Sequence, residues 1–166
     1  MNRPQSAGFT LIELMIVITI TAILTALSVP SFSVTLDNQR IFGAAEAVLS
    51  DLRWARAEAI KRNKKVRVTF TPGSNSNWSY TIDTYPLATS DGVLPKTVDG
   101  SDFPSATLST ASFSGGVAYT TFDPVRGINS NNGTATIDSD HYSANVIVSP
   151  LGRVRICGTM GGYAAC

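Results

Sequence analysis

The chain is 166 residues long, with 43% hydrophobic, 15% charged and 8% aromatic residues, which suits one compact domain plus an appendage and excludes a large multidomain enzyme. Thirteen basic against twelve acidic residues give a formal charge of +1, a mean that hides segregation along the chain. Residues 40–67 carry eight Lys/Arg against three acids, a net of +5, whereas residues 68–150 set Lys96 and Arg126 against seven Asp, a net of −5. Arg153 and Arg155 then close the chain with no acid beside them. Any basic function is therefore local.

A short polar leader with Arg3 as its only charge precedes residues 9–29, a stretch of 21 residues interrupted by the single charge of Glu13. That is long enough to span a bilayer. A secretory signal has a shorter apolar region followed by small residues, but here the small residues come first. Thr19, Thr21, Thr25 and Ser28 can return their hydroxyls to backbone carbonyls, and Pro30 sits where it kinks a helix that continues beyond it. Glu13 is the anomaly, because a carboxylate in a membrane helix is costly unless it reaches the headgroups or meets a cation. Composition leaves both readings open.

Between residues 32 and 63, Ile41, Ala45, Val48, Leu49, Leu52, Ala55, Ala59 and Ile60 recur at the spacing of one helix face, which predicts an amphipathic helix. Arg53, Lys61 and Lys64 fall within about 80° of one another at the helical period. They form either a basic stripe or a solvated flank. Arg56 projects nearer the apolar arc, where it would cap the sheet or pair with an acid.

Beyond Lys64 the period changes to two. Val66, Val68 and Phe70 alternate with Lys65, Arg67 and Thr69, the pattern of a half-buried strand. Further strands are predicted over residues 78–85, 116–122, 134–138, 144–148 and 153–157, mostly antiparallel. Residues 86–105, with three Asp, three Pro and two Gly, read as a surface loop. Trp54, Trp78, Tyr80, Tyr119 and Phe122 read as packing residues rather than stacking platforms.

Ser149-Pro150-Leu151-Gly152 has Pro second and Gly fourth, consistent with a type I turn between two strands. In the strand after it, Arg153 and Arg155 share a face with Cα atoms roughly 7 Å apart. That is about two nucleotide steps along one DNA strand. Two guanidinium forks at that spacing suit successive phosphates, with Gly152 removing a side chain that would hold the backbone away. The alternative is a pair of charges that guards a strand edge.

Cys157 and Cys166 are the only cysteines. A domain beyond a membrane helix faces an oxidising compartment, so a disulfide restraining residues 158–165 is expected. Two Cys and one His are too few for a closed zinc site. No phosphate loop, nucleophile elbow or paired-histidine metal motif is present, so neither an enzyme nor a cofactor is expected. His141 reads as a surface or loop histidine, and Asp138 and Asp140 lack the spacing of a calcium loop.

Gly8-Phe9-Thr10-Leu11-Ile12-Glu13-Leu14 resembles the N-terminal signal of type IV pilins and type II secretion pseudopilins. The run Leu52-Arg53-Trp54-Ala55-Arg56-Ala57-Glu58-Ala59-Ile60-Lys61-Arg62-Asn63 resembles the helix end of the group that contains the minor pilins FimT and FimU and pseudopilin H. The resemblance implies the α+β type IV pilin fold, a long N-terminal helix packed on an antiparallel sheet head. Its divisions would be a leader (1–8), a transmembrane and assembly helix (9–30), an amphipathic helix (31–64) and a β-rich head (65–166). It implies that a prepilin peptidase cuts between Gly8 and Phe9 and methylates the new amine. Glu13 would then pair with the terminal ammonium of Phe9 on a neighbouring subunit. Gly152-Arg153-Val154-Arg155 matches the GRxR pattern of FimT minor pilins, which also resemble this chain in a C-terminal cysteine pair. That match implies non-specific binding of double-stranded DNA for uptake in natural transformation, through Gly152, Arg153 and Arg155 with Arg53, Lys61 and Lys64 as further contacts. The implied partners are major and minor pilins. The implied location is the inner membrane with a periplasmic head, then the extracellular pilus. The alternative is a structural minor pilin or secretion pseudopilin that primes or caps a filament without DNA.

Overall fold

A computed structural model describes residues 8–86 and 94–166, except the side chains of residues 27–31. Residues 1–7 of the expected leader, the side chains of Ser28 and Pro30, and residues 87–93 of the expected loop lie outside the described residues. Met1–Thr35 and Leu36–Cys166 are two compact units.

Helix α1 is Leu11–Arg62, and its backbone continues through residue 30 as the sequence predicts. Thr10 Oγ1 accepts from the Glu13 N–H at 3.3 Å, so Thr10 caps the first turn and holds a carboxylate at the positive end of the helix. The hydroxyls of Thr19, Thr21 and Thr25 donate back to Ile16 O, Val17 O and Thr21 O at 2.8, 2.9 and 2.7 Å, which satisfies polar groups locally on an apolar segment. Among the described residues no helix is long and apolar enough to cross a membrane. The expected span includes residues 27–30, whose side chains lie outside the described residues. At the far end, Asn63 takes a left-handed φ of 52°. The Lys64 N–H then reaches Ala59 O and the Asn63 N–H reaches Ile60 O, each at 3.3 Å. This pair of bonds closes the last turn and reverses the chain into the first strand.

The helix face expected to be apolar is buried at Ile41, Ala45, Val48, Leu49, Leu52, Ala55 and Ala59, and Ala44 joins it. Ile60 does not, being 51% exposed, because the chain turns away just after it. Against this face pack two four-stranded antiparallel sheets rather than one. The first has the order β3-β2-β1-β5, with β1 Lys65–Thr71, β2 Ser79–Tyr85, β3 Lys96–Asp99 and β5 Tyr119–Phe122. The second has the order β4-β6-β7-β8, with β4 Thr107–Phe113, β6 Gly133–Asp138, β7 Ser143–Val148 and β8 Val154–Gly158. Alternation buries Val66, Val68 and Phe70 from β1 and Ala144, Val146 and Val148 from β7 in a single core. Trp78 Nε1 donates to Ala106 O at 2.8 Å. Tyr80 Oη donates to Asp51 Oδ2 at 2.8 Å, and Lys96 Nζ reaches Asp51 Oδ1 at 2.5 Å. The helix is thereby tied to the first sheet. Burial, followed by the Asp51 carboxylate and its hydrogen bond, pushes the Tyr80 hydroxyl far above its ordinary pKa.

Two expectations are corrected. The segment read as a loop contains β3 and a short 3₁₀ turn, Gly100–Asp102; none of the four β3 residues is fully buried, so the edge strand has no apolar alternation. Strand β4 has no counterpart in the sequence reading. A bulge between Leu108 and Thr110 leaves Ser109 and Thr110 both exposed, which breaks the period of two.

Cys157 and Cys166 form the expected disulfide. The tail it closes is also held otherwise: Met160 is buried, the Gly161 N–H donates to Asn38 Oδ1 at 3.3 Å, and Tyr163 Oη donates to Glu46 Oε1. Removing the disulfide with Cys166→Ser should lower unfolding stability by about 2–3 kcal/mol in the chain-entropy picture, read from the denaturant midpoint, while Met160 keeps the tail docked.

Candidate nucleic-acid interface

The turn from residue 149 to 152 forms as the residue types dictate, with the Gly152 N–H donating to Ser149 O at 2.9 Å. The Arg153 N–H donates to Ser149 Oγ at 3.1 Å. Strand β8 then alternates: Val154 and Ile156 are buried and Arg153 and Arg155 are exposed. Both arginines thus stand on the outer face of the second sheet, at the end of its edge strand. Among the described residues neither guanidinium has a hydrogen bond or an ion pair.

Arg153 sits between two concavities. One, of about 440 Å³, is lined by Arg53, Arg56, Ala57, Ile60, Gly152, Arg153 and Val154. The other, of about 340 Å³, is lined by Ile147, Ser149, Leu151, Arg153 and Arg155. The fold therefore brings Arg53, from the basic helix segment, to Arg153, a hundred residues later. Lys61 and Lys64 are exposed but line neither concavity.

Arg56 does something the sequence did not indicate. Its Nε donates to Gly127 O at 2.8 Å, so it neither caps a sheet nor pairs with an acid. Gly127 and Gly152 both have positive φ, 58° and 72°, and a Cβ on Gly152 would stand 2.1 Å from Gly127 O. Gly152 is buried, and the space its missing side chain leaves is filled by the neighbouring backbone rather than open to a phosphate. The Asn129 N–H also donates to Pro150 O at 3.2 Å. Helix, residues 123–129 and the turn form one junction, with Arg56 between them. Arg126 is carried on this junction and exposed; sequence reasoning passed it over because it is an isolated base in an acidic stretch.

Glu58 is buried under Arg62 and Lys61, with Arg62 Nε at 2.5 Å and Lys61 Nζ at 3.6 Å. The Arg62 hydrogen bond, opposed by burial and helped by the Lys61 charge, holds its carboxyl below the usual range. His141 lies in the turn between β6 and β7, its Nδ1 3.2 Å from Asp37 Oδ2; that oxygen also accepts from Ser139 Oγ at 2.9 Å. The helix, not the adjacent Asp140, supplies its carboxylate. Trp78, Tyr80 and Phe122 are core residues. Tyr119, with Tyr85, instead covers the Arg67 guanidinium, at 4.0 and 3.5 Å. Among the described residues no group of three or more His, Cys, Asp or Glu is placed to hold a metal ion.

The family model for type II transport protein GspH matches residues 44–152. The chain belongs to the GspH family. A second model, the prokaryotic N-terminal methylation motif, matches residues 3–29. Two crystal forms of the type IV minor pilin FimU from Pseudomonas aeruginosa strain PAO1 share the fold at 19% identity. One aligns with a TM-score of 0.50 over 69% of this chain and 90% of FimU, the other with 0.53 over 71% and 88%. None of the curated protein sequences matches the chain. With both motifs in one chain and the fold described above, the protein is a type IV pilin-like member of the GspH family. Its family is structural, works with other pilins and a prepilin peptidase, and is anchored in the inner membrane before joining a filament. The GspH match stops at Gly152, one residue short of the paired arginines.

Two tests follow from this geometry. Gly152→Ala combines a left-handed φ with a backbone clash and should cost more than 2 kcal/mol, against roughly 1 kcal/mol for Gly115→Ala, where φ is positive but space is open; chemical denaturation distinguishes them. A depressed Glu58 pKa contributes stability that is present above the unfolded-state value of 4.5 and lost as pH falls through the lower folded value. Glu58→Gln should therefore be less stable than wild type at pH 7 and should flatten the acid limb of the stability profile.

Proposed function

We propose that this GspH-family subunit is a minor pilin of a type IV pilus that binds double-stranded DNA non-specifically, reading no bases, through Arg153 and Arg155, for uptake in natural transformation. The observation that carries the reading is that both guanidinium groups are exposed on one strand face, with no carboxylate against either among the described residues. Arg53 adds a third cation across the groove from Arg153. Each planar fork suits a phosphate. Two or three such contacts give micromolar or weaker affinity per subunit and a log–log salt slope of about −2 to −3. Several copies on a filament raise avidity.

The N-terminal segment fits the same reading. Cleavage between Gly8 and Phe9 would leave an amine that is methylated, and Glu13 would pair with the terminal ammonium of a neighbouring subunit during assembly. Residues 9–30 would anchor the chain in the inner membrane, with the head in the periplasm until the subunit joins the pilus. The GspH match supports a second reading, a pseudopilin that primes or caps a secretion filament with the arginines idle.

Gel shifts of the full-length chain in detergent micelles over a salt series separate the two. Wild type should shift a random-sequence duplex, and Arg153→Ala with Arg155→Ala should abolish the shift while circular dichroism stays unchanged. Equal binding by wild type and double variant would remove the assigned site, and no binding by either would leave the pseudopilin reading.

A further inference from the structure

Val125, 79% exposed, and Leu151, 75% exposed, are the two most exposed large apolar side chains of Leu36–Cys166 among the described residues. They lie neither on a helix face nor on a strand but at the tips of two loops whose backbones touch, since Gly127 O fills the space of a Gly152 side chain. Val125 is two residues from Gly127 and Leu151 is next to Gly152. Both tips are stiff. The Val125 N–H donates to Asp123 Oδ1 at 3.0 Å, the Gly127 N–H to Asp123 O at 3.0 Å, and the Asp123 N–H to Ile128 O at 2.8 Å. The opposite tip is closed by the bond from the Gly152 N–H to Ser149 O.

Each tip also carries an exposed arginine: Val125-Arg126-Gly127 on one loop, Leu151-Gly152-Arg153 on the other. Leu151 shares its groove with Arg153 and Arg155. We propose that the two tips form a paired apolar wedge that enters the minor groove of double-stranded DNA and partly unstacks a base step, while Arg126, Arg153 and Arg155 hold the flanking phosphates. The proposal rests on the DNA-binding reading and adds its mode.

The chemistry favours this occupant. An apolar protein partner large enough to cover both tips would also strip water from three arginines that have no carboxylate partner among the described residues, at a high desolvation cost. A minor groove instead offers apolar sugar and base edges on its floor and phosphates along its rims. The turn tip presents Pro150 and Leu151, with no amide or carboxylate to read base edges in a major groove. Because the tips are fixed by backbone bonds, little ordering opposes insertion. Pyrimidine–purine steps, which unstack most readily, should be preferred even though no base is read directly.

The test uses the full-length chain in detergent micelles and a duplex carrying 2-aminopurine at a central TA step, whose fluorescence rises on unstacking. Wild type should bind with a rise in fluorescence, which a minor-groove-binding dye suppresses. Val125→Ser with Leu151→Ser should lose the rise and bind about tenfold more weakly, with the salt slope unchanged because no phosphate contact is removed. Binding by wild type without a rise, or an unaltered rise in the serine variant, overturns the wedge and leaves the arginine reading intact. Failure of wild type to bind any duplex overturns both. Loss of association with another pilin subunit in the serine variant, with DNA binding and fluorescence unaltered, would assign the tips to protein docking instead.

Discussion

The helix face from Ile41 to Ala59 is the one surface that both sheets require. Each sheet is apolar on a single side, and that side must be buried against another layer. Packing the two inner faces with the helix makes one continuous core, with Trp78, Tyr80 and Phe122 among its largest side chains. Small residues at Ala44, Ala45, Ala55 and Ala59 allow the strands to approach the helix closely. The polar ties between helix and strands, Asp51 with Tyr80 and Lys96 and Arg56 with Gly127, fix where along the helix each sheet sits. Hydrophobic burial alone is non-directional.

That placement determines the charge distribution of the head. The basic helix segment and the C-terminal arginines are remote in sequence, yet the junction at Gly127 and Gly152 brings Arg53, Arg126 and Arg153 to one end. The antiparallel register of β6, β7 and β8 carries Asp138 and Asp140 to the opposite end of the same hairpins. A net charge of +1 thus conceals one strongly basic end. For a subunit whose ligand is a polyanion, separation of the two signs matters more than their sum, because attraction at short Debye lengths is set by the nearest charges.

Glycine has two separate uses at this site. At Gly152 and Gly127 the absence of a side chain serves close backbone approach and a left-handed turn, and the benefit is mechanical: it stiffens the loops that carry the arginines. Arg56 completes the joint with its hydrogen bond to Gly127 O, so this half-buried guanidinium serves positioning while Arg53 and Arg153, which line the same groove, are exposed.

The local parts of this protein could be read from its residues alone. The helix continuing past Pro30, its apolar face, the threonine back-bonds, most strands, the turn at residues 149–152 and the exposed pairing of Arg153 with Arg155 all follow from periodicity and turn chemistry, which act over a few residues. What needed the folded chain were the features set by contacts between distant segments. The bulge in β4 shifts the apolar phase, and the unburied edge strand β3 has no phase to detect. Arg56, Gly127 and Gly152 meet only because two loops and a helix are packed on a common core. A one-dimensional pattern records what each residue prefers locally; which loops touch is decided by how two sheets share one helix.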